Sequence, residues 1–505
     1  MQDADVVVIG AGFGGLGAAL SLAEGGARVV LLEALRYPGG CASTFTRAGH
    51  RYESGATLSS GFDPAQPFAR WIARHDLPVQ VERLDPVIHL RAPDLSLDVP
   101  ASRDALIADL VARSPGREER IRGFFATQRA VADALWALFD DPALLPPFDL
   151  RALRAHIARA PRYLPALRWI ARPLAAVLSA HGLDDFAPLR IYLDALCQIT
   201  VQAGVDEAEA PFAMAAMDYP FRGAAHVRGG IGALADGLVL AITRSGGVVR
   251  FSDAVHALRE EGGAWRVSSR RGELRARAVV ANVLPQDLAS LWGRSTPQLD
   301  AMGARVEEGW GAAMLYLTLR EDAALAPGAQ HHELIADPRR PLIEGNHVFV
   351  SISAADEDRG PRGARTATVS THVPMRRLRA MTPEAQGAYI AGVQGAMRET
   401  IRAVAPAVDG AITGAITGSP RTFARFTQRA HGYVGGIPRR AGLGNYRELV
   451  PPAITPGLHL VGDTVFPGQS ALATAIGGMK VAARLLGDDR LRARTAAEVL
   501  HRPTR

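Results

Sequence analysis

The stretch VVVIGAGFGGLGAALSLAEGGARVVLLEA, Val6 to Ala34, constrains the chain more than any other feature. Val6 to Ile9 is a run of β-branched apolar residues, the pattern of a parallel strand buried on both faces. Gly10-Ala11-Gly12-Phe13-Gly14-Gly15 then matches G-x-G-x-x-G. The first glycine permits a tight turn, the second lets backbone approach a pyrophosphate, and the third lets helix pack against strand. Leu16 to Glu24 reads as that helix, its N-terminal amides aimed at phosphate, and Gly25-Gly26 ends it. Arg28 to Leu32 gives the second strand. Glu33 closes it, where a carboxylate accepts from an adenosine ribose hydroxyl; an acid there disfavours a 2′-phosphate and so NADP. The uncharged run Val6 to Ala23 also matches a signal peptide or membrane anchor in length. The preceding residues Asp3 and Asp5 are acidic, however, and the run is broken by glycines that a strand-turn-helix explains.

A chain of 505 residues has room for two domains or more, and 48% hydrophobic with 21% charged residues is the balance of a soluble globular protein. Cys41 and Cys197, the two cysteines, supply neither a disulfide framework nor a metal-ligand pair, which suits a reducing cytoplasm and predicts no metal. The net charge of +6 rests almost wholly on arginine, Lys480 being the one lysine, and by itself it indicates neither a membrane nor an acidic ligand. No nucleic-acid partner is expected.

Two further glycine turns follow closely, Tyr37-Pro38-Gly39-Gly40-Cys41 and Ser54-Gly55-Ala56-Thr57, and would let backbone approach a second part of a large cofactor. From about Asp85 to Phe221 the pattern turns helical, rich in alanine, leucine and proline. A helix over Ala233 to Arg244 follows, then short strands over Val248 to Phe251, Ala254 to Arg259 and Ala264 to Ser268, and a strand over Ala278 to Ala281 ended by Asn282. Trp310 to Leu319 and Thr366 to His372 read as strands of an antiparallel sheet, with a helix near Pro383 to Val404. Gly457 to Gly487 reads strand, Gly462-Asp463, loop, long helix. Gly230-Ile231-Gly232-Ala233-Leu234-Ala235 fits G-x-G-x-x-A, but no apolar strand leads into it and Val248 to Phe251 runs on to Ser252 rather than an acid. It therefore reads as a glycine-rich helix entry. One fingerprint, an added glycine turn and a late Gly-Asp before a helix suit FAD better than NAD, because the isoalloxazine must be held far from its adenine.

At these motifs the sequence resembles the FAD-dependent amine-oxidase-like superfamily. Within it the likeness is to the phytoene desaturase, carotenoid isomerase and retinol saturase group. The likeness runs through PGGCAST, GHRYESGAT, VRGGIGALADGLVLAITRSGGVVRFSDAVHAL, VVANV, RAHGYVGGIP and GLHLVGDTVFPGQSALATAIGGMKVAARLL. It implies an α/β fold: a Rossmann-like FAD-binding domain of the glutathione-reductase type, discontinuous over 1–84, 222–285 and 425–490. An inserted α+β substrate domain on an antiparallel sheet would take 85–221 and 286–424, leaving 491–505 as a C-terminal tail. It implies that Gly10, Gly12 and Gly15, with Phe13 and Gly14, line the pyrophosphate and that Glu33 and Ala34 flank the adenosine ribose. Gly39 and Gly40 match the turn near the phosphates and ribityl chain; arginine often follows that turn, and here the slot holds Cys41. Gly55, Ala56 and Thr57 match the loop approaching the flavin ring, and Val255 the residue whose backbone meets adenine. Gly462 and Asp463 match the ribityl or phosphate carboxylate turn. Gln469, Ser470, Ala471 and Leu472 open the last helix beneath the pyrimidine edge. There a helix N-terminus, worth about half a positive charge, faces the negative charge of a reduced flavin.

The implied reaction is hydride transfer between an allylic carbon of a hydrophobic polyene and flavin N5, as in a carotenoid-type desaturase or isomerase. The alternative is a reductase or cyclase of another polyene, such as a polyketide-derived macrolactam. An amine or protoporphyrinogen oxidase shares the fold, but GDTVFPGQS argues against it; a flavin-free prenyl-protein escort is disfavoured by the intact fingerprint, Glu33 and Asp463. His431 and Tyr433, in RAHGYVGGIP, are the candidate side chains near the chemistry. Phe148 to Leu183 holds Arg151, Arg154, Arg159, Arg162, Arg168 and Arg172 among apolar residues and Trp169. Pro161, Pro165 and Pro173 are expected to cut it into short helices. A basic amphipathic segment of this kind suits peripheral contact with the inner face of the cytoplasmic membrane. The oligomeric state is not legible.

Overall fold

A computed structural model describes residues 2–141, 144, 150–322, 324–361, 363–447 and 453–487. The opening motif forms β1 (Gln2–Ile9), helix α1 (Phe13–Glu24) and β2 (Val29–Leu32). The chain returns to this unit three times, as β10 (Val248–Arg250), β13 (Gly272–Ala281) and β19 (Leu458–Leu460), giving a parallel order β10-β2-β1-β13-β19. Val6, Val8, Leu31, Val279 and Val280 have no exposed surface, as strands covered on both faces require. The strand expected at Ala278 to Ala281 is longer than its apolar run. Its first half pairs with the antiparallel meander β11 (Val255–Glu261) and β12 (Ala264–Ser269), where only every second residue is buried.

Helix α9 (Ala471–Gly487) lies against α1 closely enough for backbone to meet backbone. A Cβ on Gly17 would stand 2.4 Å from the Ala475 carbonyl oxygen, and one on Gly478 would stand 2.1 Å from that of Gly14. Helix α7 (Ile231–Arg244) also packs on α1.

The second sheet has the order β18-β14-β17-β16-β15-β7-β8. Its strands are β7 (Ile88–Ala92), β8 (Leu95–Val99), β14 (Trp310–Arg320), β15 (Gln330–Ile335), β16 (His347–Ile352), β17 (Ala364–Pro374) and β18 (Ile412–Gly418). One face, with Leu315, Leu317, Val348, Val350 and Val369, is covered by Met397 and Ile401 of α8 (Pro383–Val404). The other face is polar. There the Thr366 and Thr368 hydroxyls donate to the Arg51 and Glu53 carbonyls at 2.9 Å, and the Tyr316 hydroxyl donates to that of Ser54 at 2.8 Å. These bonds dock the hairpin β3 (Thr44–Arg47) and β4 (His50–Glu53) on the sheet. A small third sheet joins β5 (Leu58–Ser59), β9 (Ala225–Val227) and β6 (Val81–Glu82).

Between β8 and β9 lie α2 (Glu118–Asp140), α3 (Leu150–Leu167), α4 (Leu174–Ala180), α5 (Ala187–Thr200) and α6 (Ala210–Ala216), around a core that includes Phe124, Phe125, Leu189 and Met214. Three expectations change. Asp85 to Phe221 is not uniformly helical, since β7 and β8 extend the second sheet with buried Ile88, Leu90, Leu95, Leu97 and Val99 in strand alternation. A short buried strand, β9, does lead into the Gly230-Ile231-Gly232 motif. Helix α3 runs unbroken through Pro161 and Pro165: the carbonyls that these prolines leave unpaired, of Ile157 and Pro161, belong to exposed residues open to solvent. Phe148, Asp149 and the tail 491–505 lie outside the described residues.

Gly478→Ala is expected to force α9 off α1 and destabilise the protein by about 1–3 kcal/mol, the usual range for overpacking. Thermal unfolding checks this as a lowered Tm beside an unchanged Tm for Gly487→Ala, where a Cβ meets nothing within 4 Å.

Candidate cofactor and substrate cavity

A cavity of about 640 Å³ runs from the turn after β1 to the inner face of the second sheet and the helices α2, α5 and α6. At one end stands Glu33. Its Oε2 accepts from the Ala11 amide and its Oε1 from the Leu35 amide, both at 2.7 Å. Burial raises its pKa, and these amide bonds oppose the rise. The carboxylate is therefore fixed at the end of β2, with Ala34 and Val255 beside it on the cavity wall.

Gly10, Gly12, Phe13 and Gly14 line the next part, and Gly15 does not. A Cβ on Gly15 would stand 2.0 Å from the Gly10 carbonyl oxygen, so that glycine closes the turn rather than faces a ligand. Asn282, at the end of β13, does more than terminate that strand. Its amide group fills the space between three backbones: a Cβ on Gly12, Gly14 or Gly462 would come within 2.6, 2.7 or 2.8 Å of it. Only the tertiary fold reveals that role, because Asn282 is remote in sequence from the glycines it separates.

Gly39, Gly40 and Cys41 line the wall opposite Gly12, with the Gly39 amide on the Ala11 carbonyl at 2.8 Å. A cation from elsewhere in the chain stands near Cys41. Arg429 lines the cavity, donates through Nη2 to both Asp463 carboxylate oxygens at 2.8 and 3.1 Å, and through Nε to the Tyr433 carbonyl at 2.7 Å. It stands close enough to act on Cys41: burial pushes that thiol up, and the Arg429 charge pulls the other way. RAHGYVGGIP therefore contributes Arg429. Its two candidate residues fall elsewhere. His431 is exposed in a left-handed turn (φ +56°), while Tyr433 is buried in the core beneath the second sheet, its hydroxyl accepting from Arg379 at 3.1 Å. Neither lines the cavity. The sequence signal that could have singled out Arg429 is its place two residues before that histidine, which carries no period or motif of its own.

Beyond Arg429 lie Gly55, Ala56 and Thr57 on one side and Gln469 to Leu472 on the other. Thr57 Oγ1 and Gln469 Oε1 are shielded from solvent with no hydrogen-bond partner among the described residues. Ser470 holds φ +110°, a region costly for any residue with a Cβ, and its hydroxyl caps α9 by accepting from the Ala473 amide at 3.0 Å. Ala471 and Leu472, whose amides precede the helix's own hydrogen bonds, face the cavity. Past them the walls turn apolar, with Trp136, Phe139, Phe212, Tyr219, Phe349 and Met314.

The glycine-rich entry to α7, Gly229 to Gly232, is already engaged by the protein. The Ile231 amide donates to Glu53 Oε1 at 2.9 Å, the Gly232 amide to Thr44 Oγ1 at 3.0 Å and the Gly229 amide to Glu357 Oε2 at 2.7 Å. Buried Arg359 joins Glu357 to Glu53, at 2.9 and 3.7 Å. The start of α7 thus holds the 44–53 hairpin, as a helix entry does.

A fixed carboxylate, close-approaching glycine backbone, a partly buried cation and the unpartnered Thr57 and Gln469 oxygens in one cavity fit a dinucleotide cofactor. Comparisons with known proteins agree. Residues 8–74 match the model of an NAD(P)-binding Rossmann-like domain. The chain is 26% identical to the chloroplastic prolycopene isomerase of Arabidopsis thaliana, over 96% of this chain and 83% of that one. It is 29% identical to the neurosporene-forming phytoene desaturase of Cereibacter sphaeroides, over 68% and 66%. It is 26% identical to the hydroxyneurosporene desaturase of the same organism, over 96% and 97%. Among solved structures, an oxidoreductase from Methanosarcina mazei superposes with a TM-score of 0.64 at 17% identity, covering 95% of this chain and all of that one. A putrescine oxidase with bound putrescine gives 0.61 at 14%, covering 96% of this chain and 100% of that one. These last two likenesses are of fold.

Cys197 is buried and its thiol, like that of Cys41, is pushed up by burial. A colorimetric thiol reagent at pH 8 should therefore titrate both slowly in the native protein and both at once after denaturation. Rapid native labelling of Cys41 would show an activated thiol instead.

Proposed function

We propose that this homologue of the carotenoid isomerases and desaturases binds FAD along the cavity and acts on a long hydrophobic polyene. One observation carries the reading: the dinucleotide cradle and the aromatic chamber are a single continuous space. When bound, FAD supplies a two-electron hydride acceptor. The chain does the rest. Glu33 holds the adenosine ribose, the glycine turns bring backbone to the pyrophosphate, and Arg429 provides the positive charge that Cys41 lacks. Thr57 and Gln469 offer their unpaired oxygens to the far end of the cofactor. The N-terminus of α9, worth about half a positive charge, stabilises negative charge developing there. Trp136, Phe139, Phe212, Tyr219 and Phe349 exclude water and orient a rod-shaped apolar substrate.

Such a substrate resides in lipid, and α3 suits that source. Leu150, Leu153, Ile157, Leu164 and Leu167 are 48–77% exposed on this one helix. Their spacing puts them along one face, flanked by exposed Arg151, Arg154, Arg162 and Arg168. Trp169, by contrast, is buried and anchors the helix end to the protein. Helix α3 packs on α2, which bears Trp136 and Phe139, so a membrane bound here lies next to the chamber. No helix among the described residues is long and apolar enough to cross a membrane.

The purified protein should be yellow. Anaerobic mixing with a carotenoid-type polyene in liposomes should bleach the oxidised flavin band, and NADPH alone should not; the reverse pattern would make it a reductase or cyclase. Arg429→Gln should weaken FAD binding by roughly tenfold or more, the loss of a charged hydrogen bond, read by flavin fluorescence. Leu153→Asp with Ile157→Asp should abolish co-sedimentation with anionic vesicles while leaving flavin content intact.

A further inference from the structure

The polar face of the second sheet carries a cluster with no part in docking the 44–54 segment. Met314, Ser370, Phe349 and Glu333 form one row across β14, β17, β16 and β15, and all four line the cavity. His372 and His347 sit two residues from Ser370 and Phe349, where the same register brings them opposite each other, and they line it too. Glu333 Oε2 and His347 Nε2 are hydrogen-bonded, and both side chains are almost wholly buried. Among the described residues neither ring nitrogen of His372 has a hydrogen-bond partner, and no group of such residues is arranged to hold a metal ion. Elsewhere on this face the hydroxyls of Thr366, Thr368 and Tyr316 each bind backbone of the neighbouring segment. Glu333 and His347 bind each other beside an aromatic chamber, where burying polar groups costs desolvation that packed apolar residues would avoid.

We propose that His372, backed by the His347–Glu333 pair, accepts the proton that leaves the polyene during reaction. The inference rests on the polyene reading above. In a desaturation one allylic C–H bond breaks and its electron pair departs as hydride to the oxidised flavin, which is thereby reduced by two electrons. The adjacent C–H bond then breaks, its electron pair forms the new C=C bond, and its proton passes to an imidazole nitrogen of His372. A C–H bond beside a carbocation is strongly acidic, so a weak base suffices. Burial, with the His347 ring beside it, pushes His372 down to about 4, so it is unprotonated at neutral pH. The hydrogen-bonded Glu333–His347 pair lies on the same wall as His372.

The test is steady-state turnover of a carotenoid-type polyene by the flavin-loaded enzyme and its His372→Asn and Glu333→Gln variants, with flavin content measured in each. His372→Asn removes a ring that has no hydrogen-bond partner, and Glu333→Gln keeps a partner for His347, so both should fold. Loss of kcat by roughly 100-fold in His372→Asn, with KM and flavin content unchanged, is the expected result. A kcat near wild type in His372→Asn overturns the inference. So does a raised KM or lost flavin with kcat kept, which marks a structural role. A wild-type enzyme that neither converts polyene nor loses its oxidised flavin band overturns the polyene reading itself, a separate outcome.

Discussion

The backbone contact between α1 and α9 is the constraint on which the cavity depends. Gly10, Gly12 and Gly14 are separated by most of the chain from Gly462, Asp463 and Ser470, yet all six line the same cavity. They meet because Gly17 and Gly478 let two helices approach until carbonyl oxygens stand where a Cβ would be. Any side chain at those positions would push α9 outward. Its N-terminus would move away from Thr57, and Gly462 away from Asn282.

The second sheet divides its labour by face, because successive strand residues point to opposite sides. The apolar set Leu315, Val348, Val350 and Val369 holds α8 and supplies core. The opposite set is hydroxylic where it grips the 44–54 segment and becomes Phe349, Glu333, His347 and His372 where it meets the chamber. That gradient along one face converts a structural sheet into a wall with chemical capacity. The network around Arg359 then fixes the same hairpin from its far side through the start of α7.

Much of this was legible from sequence, and the boundary of legibility has a physical cause. The β1–α1–β2 unit is contiguous, its periods are unmistakable and Glu33 sits at a fixed offset, so its turn, helix and acid all follow from local rules. Helix α8 begins and ends where its pattern does. The strands β7 and β8 were hidden in a helical-looking region because their alternation spans only a few residues and their partner β15 lies far along the chain. Helix α3 holds two prolines on the surface, where the carbonyls they leave unpaired are open to solvent.

Individual site residues divide along the same line. Glycines, Glu33 and the turn at Gly462-Asp463 carry local signatures, whereas Arg429, Asn282 and the Glu333–His347–His372 cluster carry none. Sequence singled out His431 in the right loop, but the residue that reaches the cavity is Arg429, since a left-handed turn leaves the histidine in solvent. By itself the sequence determined the dinucleotide unit and its acid, because those rest on hydrogen bonds and turns formed between near neighbours. Only the tertiary structure decided which cation answers Cys41, which amide spaces the glycines and which imidazole faces the chamber. Those relations are set by packing between segments hundreds of residues apart, and no local period encodes them.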